Sequence, residues 1–219
     1  MLIVQAAEHP ASARHALADL LKSGLIADVQ IASAYITVGG SKIVLDCLKA
    51  VMTSKQFEAA PKTIVTSFDY GLSEPDALLL WSKLPGTAIR VAGFDAVLNG
   101  SLQPAEAFHP KIYAFGTGPG KCNVLVGSAN MTTRGFTVNA EIMWAQPGVS
   151  KAAVDRAFKK IRQGTIPLSH ELLRRYEALR KKTPPSPQIA LEIQPVPAPK
   201  PIAVSSLKPF RDAVETGAV

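Results

Sequence analysis

From Leu2 to Phe94 the chain alternates short apolar runs with amphipathic helical ones, and from Phe108 to Ala145 it sets three β-patterned segments in succession. No other feature narrows the possible folds as much. The spacing predicts strand 2–6, helix 10–23, strand 28–36, helix 41–54, strand 62–68, helix 74–84 and strand 88–94, then strands at 108–115, 122–130 and 140–145. Ile43, Val44, Cys47, Leu48 and Val51 fall on one helical face, and Glu74-Pro75-Asp76 opens the next helix with an early proline and acids. Alternation of this kind folds as an α/β sandwich, here expected to be a mixed, mostly parallel sheet with helices on both faces. Ligands of such sheets bind beyond the carboxyl ends of strands. The apolar run from Cys122 ends in Gly127-Ser128-Ala129-Asn130, which puts polar side chains at that place.

His109 and Lys111 lie two apart in the segment Phe108–Phe115, so an extended chain points both to one side. Lys111 supplies fixed positive charge, and Ser128 and Asn130 can donate hydrogen bonds to the non-bridging oxygens of a phosphate. His109 is the candidate nucleophile. Glu141 is a lone carboxylate in the apolar segment Ala140–Ala145 and needs a partner if buried. Bonded to the far ring nitrogen of His109, it would fix the tautomer and leave the attacking nitrogen unprotonated. Taken singly, His-x-Lys is a common surface pair and Gly-Ser-x-Asn a common turn. Their order, with an acid following, is what points to phosphoryl transfer.

At these residues the chain resembles the phospholipase D superfamily, whose signature is His-x-Lys, then a Gly-Ser-x-Asn turn, then an acid. His109-Pro110-Lys111, Gly127-Ser128-Ala129-Asn130 and Glu141 match it, and Ile31–Thr37 is similar to the second strand of the single-motif nuclease branch, which includes metal-independent restriction endonucleases. The resemblance spans about residues 1–165. The family's longer motif has an Asp five residues after the lysine, where this chain has Gly116. The resemblance implies a metal-independent phosphodiesterase acting on DNA or RNA, with His109, Lys111, Ser128, Asn130 and Glu141 as its catalytic set and a phosphohistidine intermediate. It also implies a homodimer. Family sites use two facing histidines, one attacking and one protonating the leaving oxygen, whereas His9, His15 and His170 here have no Lys two residues on. A phospholipid phosphodiesterase with the same residues, or a non-catalytic nucleic-acid-binding module, are the alternatives.

The net charge of +7 is local. Between Lys151 and Lys182, Lys151, Arg156, Lys159, Lys160, Arg162, Arg174, Arg175, Arg180, Lys181 and Lys182 outnumber Asp155, Glu171 and Glu177 by that whole excess. Two basic helices, 150–163 and 168–182, are expected there, with Leu168, Leu172, Leu173, Tyr176 and Leu179 facing a core. Basic helices beside a phosphate site favour nucleic acid, DNA over RNA, although a solvated helix or an anionic membrane surface would read alike. Residues 1–182 form the expected catalytic domain. From Thr183 eight of the 17 prolines make 183–219 an expected extended or disordered tail, a linker to a separate target-recognition or helicase component or an arm onto another subunit. No cofactor is expected, and no acidic cluster of the kind that holds Mg²⁺ surrounds the motif. Cys47 and Cys122 have no metal-ligand spacing and read as reduced core residues. The N-terminus lacks signal-peptide character and no run is long enough to span a membrane, so a cytoplasmic protein is expected.

Overall fold

The computed structural model describes residues 1–10, 12–22 and 25–184. Strands β1 (Leu2–Gln5), β2 (Asp28–Ser33), β3 (Lys62–Ser67), β4 (Thr87–Ala92), β5 (Lys111–Gly118), β6 (Lys121–Gly127), β7 (Glu141–Ser150) and β8 (Ile166–Pro167) form one sheet, in the order β1-β7-β6-β5-β2-β3-β4-β8. Between them lie α1 (Ser12–Lys22), α2 (Val38–Val51), α3 (Ser54–Ala59), α4 (Pro75–Ser82), α5 (Phe94–Leu98), α6 (Thr133–Thr137) and α7 (Lys151–Ile161), with α8 (His170–Lys182) last. The α/β sandwich expected from the alternation is present. The sheet is nevertheless mostly antiparallel: β2, β3 and β4 run parallel, and every other neighbouring pair is antiparallel. Parallel neighbours need a long crossover, which only α2 with α3, and α4, supply between adjacent strands. β5 and β6 are joined by the turn at Pro119-Gly120 and pair directly.

Element starts moved where capping and proline chemistry decide them. Helix α2 begins at Val38 because the Thr37 hydroxyl accepts from Gly40 N at 3.1 Å, an N-cap earlier than the apolar stripe alone indicates. The helix needs glycine there, since a Cβ on Gly40 would lie 2.1 Å from Met131 O. β5 begins at Lys111, so Phe108, His109 and Pro110 precede the ladder instead of lying in it. Pro110 has no N–H to donate, and its carbonyl accepts from Ala34 N at 3.0 Å.

The two faces of the sheet are covered unequally. One carries the main core, with Leu17, Ile31, Leu48, Ile64, Trp81, Tyr113, Leu125 and Tyr176 fully buried under α1, α2, α4 and α8. On the other, Ala32, Val65, Ala114, Cys122 and Val124 pack against Val154 and Phe158 of α7. Leu2, Val4, Val126, Ile142 and Trp144 are exposed. Strand alternation puts them on α7's side, at the β1–β7 end of the sheet.

At Gly116 a carboxylate is present after all, delivered from the neighbouring strand. Gly116 pairs with Asp28, and a Cβ at 116 would lie 2.1 Å from Asp28 Oδ2. Asp28 Oδ1 in turn accepts from Lys151 Nζ at 3.2 Å, tying the start of α7 to the sheet. The stripe of Leu172 and Tyr176, with Leu168, Leu173 and Leu179 beside it, faces the core as expected. The two basic helices lie on opposite faces, so their charges form no single stripe, and several pair locally, as in Arg175–Glu171 and Lys181–Glu177. No helix among the described residues is long and apolar enough to cross a membrane. The proline-rich tail from residue 185 onward lies outside the described residues.

Candidate active site

The carboxyl ends of β2, β3, β4 and β6 lie at the same end of the sheet as the amino ends of β5 and β7, as the register fixes. Ser33 pairs with Lys111 and Gly127 with Met143 at that end, so the segments holding all five expected residues converge there. The Gly127–Met131 turn is held from beneath. Buried Tyr113 donates its hydroxyl to Ala129 O at 3.0 Å, Ser33 Oγ accepts from Met131 N at 2.8 Å, and Asn130 Oδ1 accepts from Tyr35 N at 3.4 Å. Burial pushes the Tyr113 phenol well above its ordinary range, so it remains a donor. Gly127 is a glycine by necessity: a Cβ would sit 2.1 Å from Ile142 O on the adjoining strand.

His109 is exposed, whereas Lys111 is buried and reaches back to it. Lys111 Nζ lies 2.9 Å from Nδ1, 3.2 Å from Nε2 and 3.1 Å from the His109 carbonyl oxygen, which accepts from it. Tyr35 meets the imidazole edge to face, with ring centroids 6.3 Å apart. Glu141 is 8 % exposed, and its Oε2 accepts a short hydrogen bond from the Ser128 hydroxyl. Ser128 is further fixed by Ile142, whose N–H donates to Ser128 Oγ at 3.0 Å and whose carbonyl accepts from Ser128 N at 3.0 Å. The hydroxyl that the sequence assigns to phosphate therefore gives its proton to the carboxylate. This arrangement offers an accessible imidazole backed by a buried ammonium, beside a hydroxyl and carboxylate pair, and suits an anionic electrophile.

No family model and no curated protein matches the sequence. Solved structures do match the fold: NucT from Helicobacter pylori is similar at a TM-score of 0.54 and 18% identity over 77% of this chain and 98% of that one. The fold is phospholipase D-like. Nuc from Salmonella typhimurium, described as a phospholipase D family member, is similar at a TM-score of 0.48 and 17% identity over 77% of this chain and 99% of that one. Within this phospholipase D-like sheet two residues absent from the sequence-based set border the site. Tyr35 follows β2, and Asp69 follows β3 with its Oδ2 accepting from Phe108 N at 2.8 Å. Burial raises the Asp69 carboxyl above its ordinary range, against the Phe108 and Ser67 hydrogen bonds. Both sit just past a strand's carboxyl end, a placement that flags them on the principle already applied to Gly127.

Proposed function

We propose that this chain is a metal-independent phosphodiesterase of nucleic acid, DNA before RNA, acting through covalent catalysis at His109 in a site completed by a second copy. An imidazole nitrogen attacks phosphorus, an N–P bond forms, and the P–O bond to one nucleoside breaks. The departing oxygen takes a proton from His109 of the second copy. Water then attacks the phosphohistidine, giving its proton to that same second imidazole, and the N–P bond breaks. Lys111 offsets the charge gathering on the phosphoryl oxygens, Asn130 binds them, and Ser128 holds the Glu141 carboxylate that orients the histidine.

The observation that carries the reading is the contact of Lys111 Nζ with the exposed His109 ring, 2.9 Å from Nδ1. The positive excess in α7 and α8 supports nucleic acid over a neutral substrate. The uncovered apolar face through Val126, Ile142 and Trp144 supports self-association, since Ile142 adjoins Glu141 and bonds Ser128. The test is cleavage of a labelled plasmid and a single-stranded oligonucleotide in excess EDTA, beside His109→Ala. Cleavage retained in EDTA and lost in the variant is expected, with an acid-labile phosphoryl adduct on His109. Activity only on phospholipid vesicles would replace the substrate, and nucleic-acid binding without turnover would leave a binding module.

A further inference from the structure

We propose that Asp69 and Tyr70 form a clasp that positions His109, with the Asp69 carboxylate retained for its charge toward the imidazole; this rests on the reading of His109 as the nucleophile. Residues 99–110, which present His109, contain no helix or strand. Two neighbouring residues of the turn after β3 hold this segment at two points. Tyr70 N donates to Leu102 O at 2.7 Å, and Asp69 Oδ2 accepts from Phe108 N at 2.8 Å. To serve both, Tyr70 takes a left-handed φ of 56°, the one non-glycine residue among those described to do so. A bulky side chain adopts that conformation only where its surroundings impose it, and such residues cluster at functional sites.

The carboxylate is costly in its own right. Asp69 is 1 % exposed, and its buried Oδ1 has no hydrogen-bond partner among the described residues. Gly93 leaves it room, because a Cβ there would lie 2.3 Å from Oδ1. The turn is braced from behind by α8: Arg180 Nε donates to Gly71 O at 2.7 Å and the Tyr176 hydroxyl to Ser73 O at 2.5 Å. An asparagine would satisfy Phe108 N without burying a charge, so the fold alone does not call for an acid. The imidazole does call for one. The Asp69 carboxylate accepts from Phe108 N, one residue before His109, and the His109 ring gains positive charge as the N–P bond forms. The charged groups around the two include Lys111 on β5, Asp95 on α5, Arg180 on α8 and Glu74 before α4.

The experiment labels the four histidines with ¹⁵N and follows the His109 ring through a pH titration in the full chain and in Asp69→Asn, with cleavage kinetics alongside. A nearby negative charge favours the imidazolium, so its removal should lower the His109 midpoint by about half a unit. On an oligonucleotide, kcat should fall about tenfold with KM within about twofold, as for a group felt mainly in the transition state. An unmoved His109 midpoint would overturn the clasp's charge role even where cleavage still requires His109. A shifted midpoint in a chain whose cleavage survives His109→Ala would keep the clasp and overturn the nuclease reading. Should Asp69→Asn not fold, Asp69→Ser carries the same two readings.

Discussion

Lys111 meets both the side chain and the backbone of His109: its ammonium lies 2.9 Å from Nδ1 and donates to the His109 carbonyl oxygen at 3.1 Å. In the proposed reaction a charge so placed would stabilise the transition state without reorganising, while its burial at 7 % exposure costs the fold. Lys111→Met keeps the apolar stem and drops the charge. We expect kcat to fall by about 10²–10³ while urea unfolding shows stability unchanged or raised by about 1 kcal/mol. A large loss of stability would mean that the ammonium is structural.

The Ser128 hydroxyl and the Glu141 carboxylate separate in the same way. Ser128→Ala deprives a carboxylate at 8 % exposure of a hydroxyl donor, and a loss of about 1–3 kcal/mol in denaturant melts is expected. Glu141→Gln still accepts from Ser128 but carries no charge. Its stability should change little, and its kcat should drop by about 10²–10⁴ if the carboxylate steadies the imidazole.

Asp69 sets a pH dependence whose sign follows from its burial. Its folded carboxyl is raised above the ordinary range, so the unfolded chain ionises first and folding loses stability as pH rises through that interval. Asp69→Asn removes this loss. The variant should melt higher than the parent at pH 7, and the gap should close below about pH 4, where Asp69 is protonated in both states.

The alternation of apolar runs made the sandwich legible, and the His109, Lys111, Gly127–Asn130 and Glu141 segments do converge at one end of the sheet. Strand direction was less legible, because periodicity reports which residues are buried and not which strand neighbours which. Pro119-Gly120 is a turn-forming pair, but its consequence, an antiparallel β5–β6 pair, depends on the two flanking strands being neighbours. Asp69 was missed because a single acid after a strand reads as a solvated turn residue. Its burial comes from Gly93, Phe108 and α8, all distant in sequence. The basic segment reads as one patch along the chain, yet α7 and α8 separate onto opposite faces once Pro167 pairs with Arg90 at the sheet's far edge.

Gly116 is where this chain departs from the longer phospholipase D motif, and Asp28 explains why glycine stands there. An acid at 116 would meet Asp28 Oδ2 at about the 2.1 Å of its own Cβ, placing two carboxylates against one ammonium, Lys151. Gly116→Asp is therefore expected to destabilise the chain by about 2–4 kcal/mol, through overpacking and like-charge burial. The double change Asp28→Gly with Gly116→Asp returns the carboxylate to β5 and should recover most of the loss in a thermal melt. Failure of the double variant to recover would mean that the position matters beyond its charge.

The exposed apolar face offers the sharpest test of the proposed shared site. Leu2 pairs with Trp144 and Val4 with Ile142 across β1 and β7, so their side chains form one surface continuous with Val126 and with the backbone that fixes Ser128. Ile142 is 60% exposed and Trp144 48%, so a charge at either position costs the isolated chain little. In a two-fold interface each change is made twice, and each buried, unpaired carboxylate costs several kcal/mol. Ile142→Glu and Trp144→Glu should therefore stay folded, with melting temperatures that no longer depend on protein concentration, and sediment as monomers, with cleavage lost because no second histidine reaches the phosphate. Mixing His109→Ala chains with Ile142→Glu chains should restore nothing, since one lacks the nucleophile and the other the interface. A fully active monomer in sedimentation would place both proton transfers within one chain.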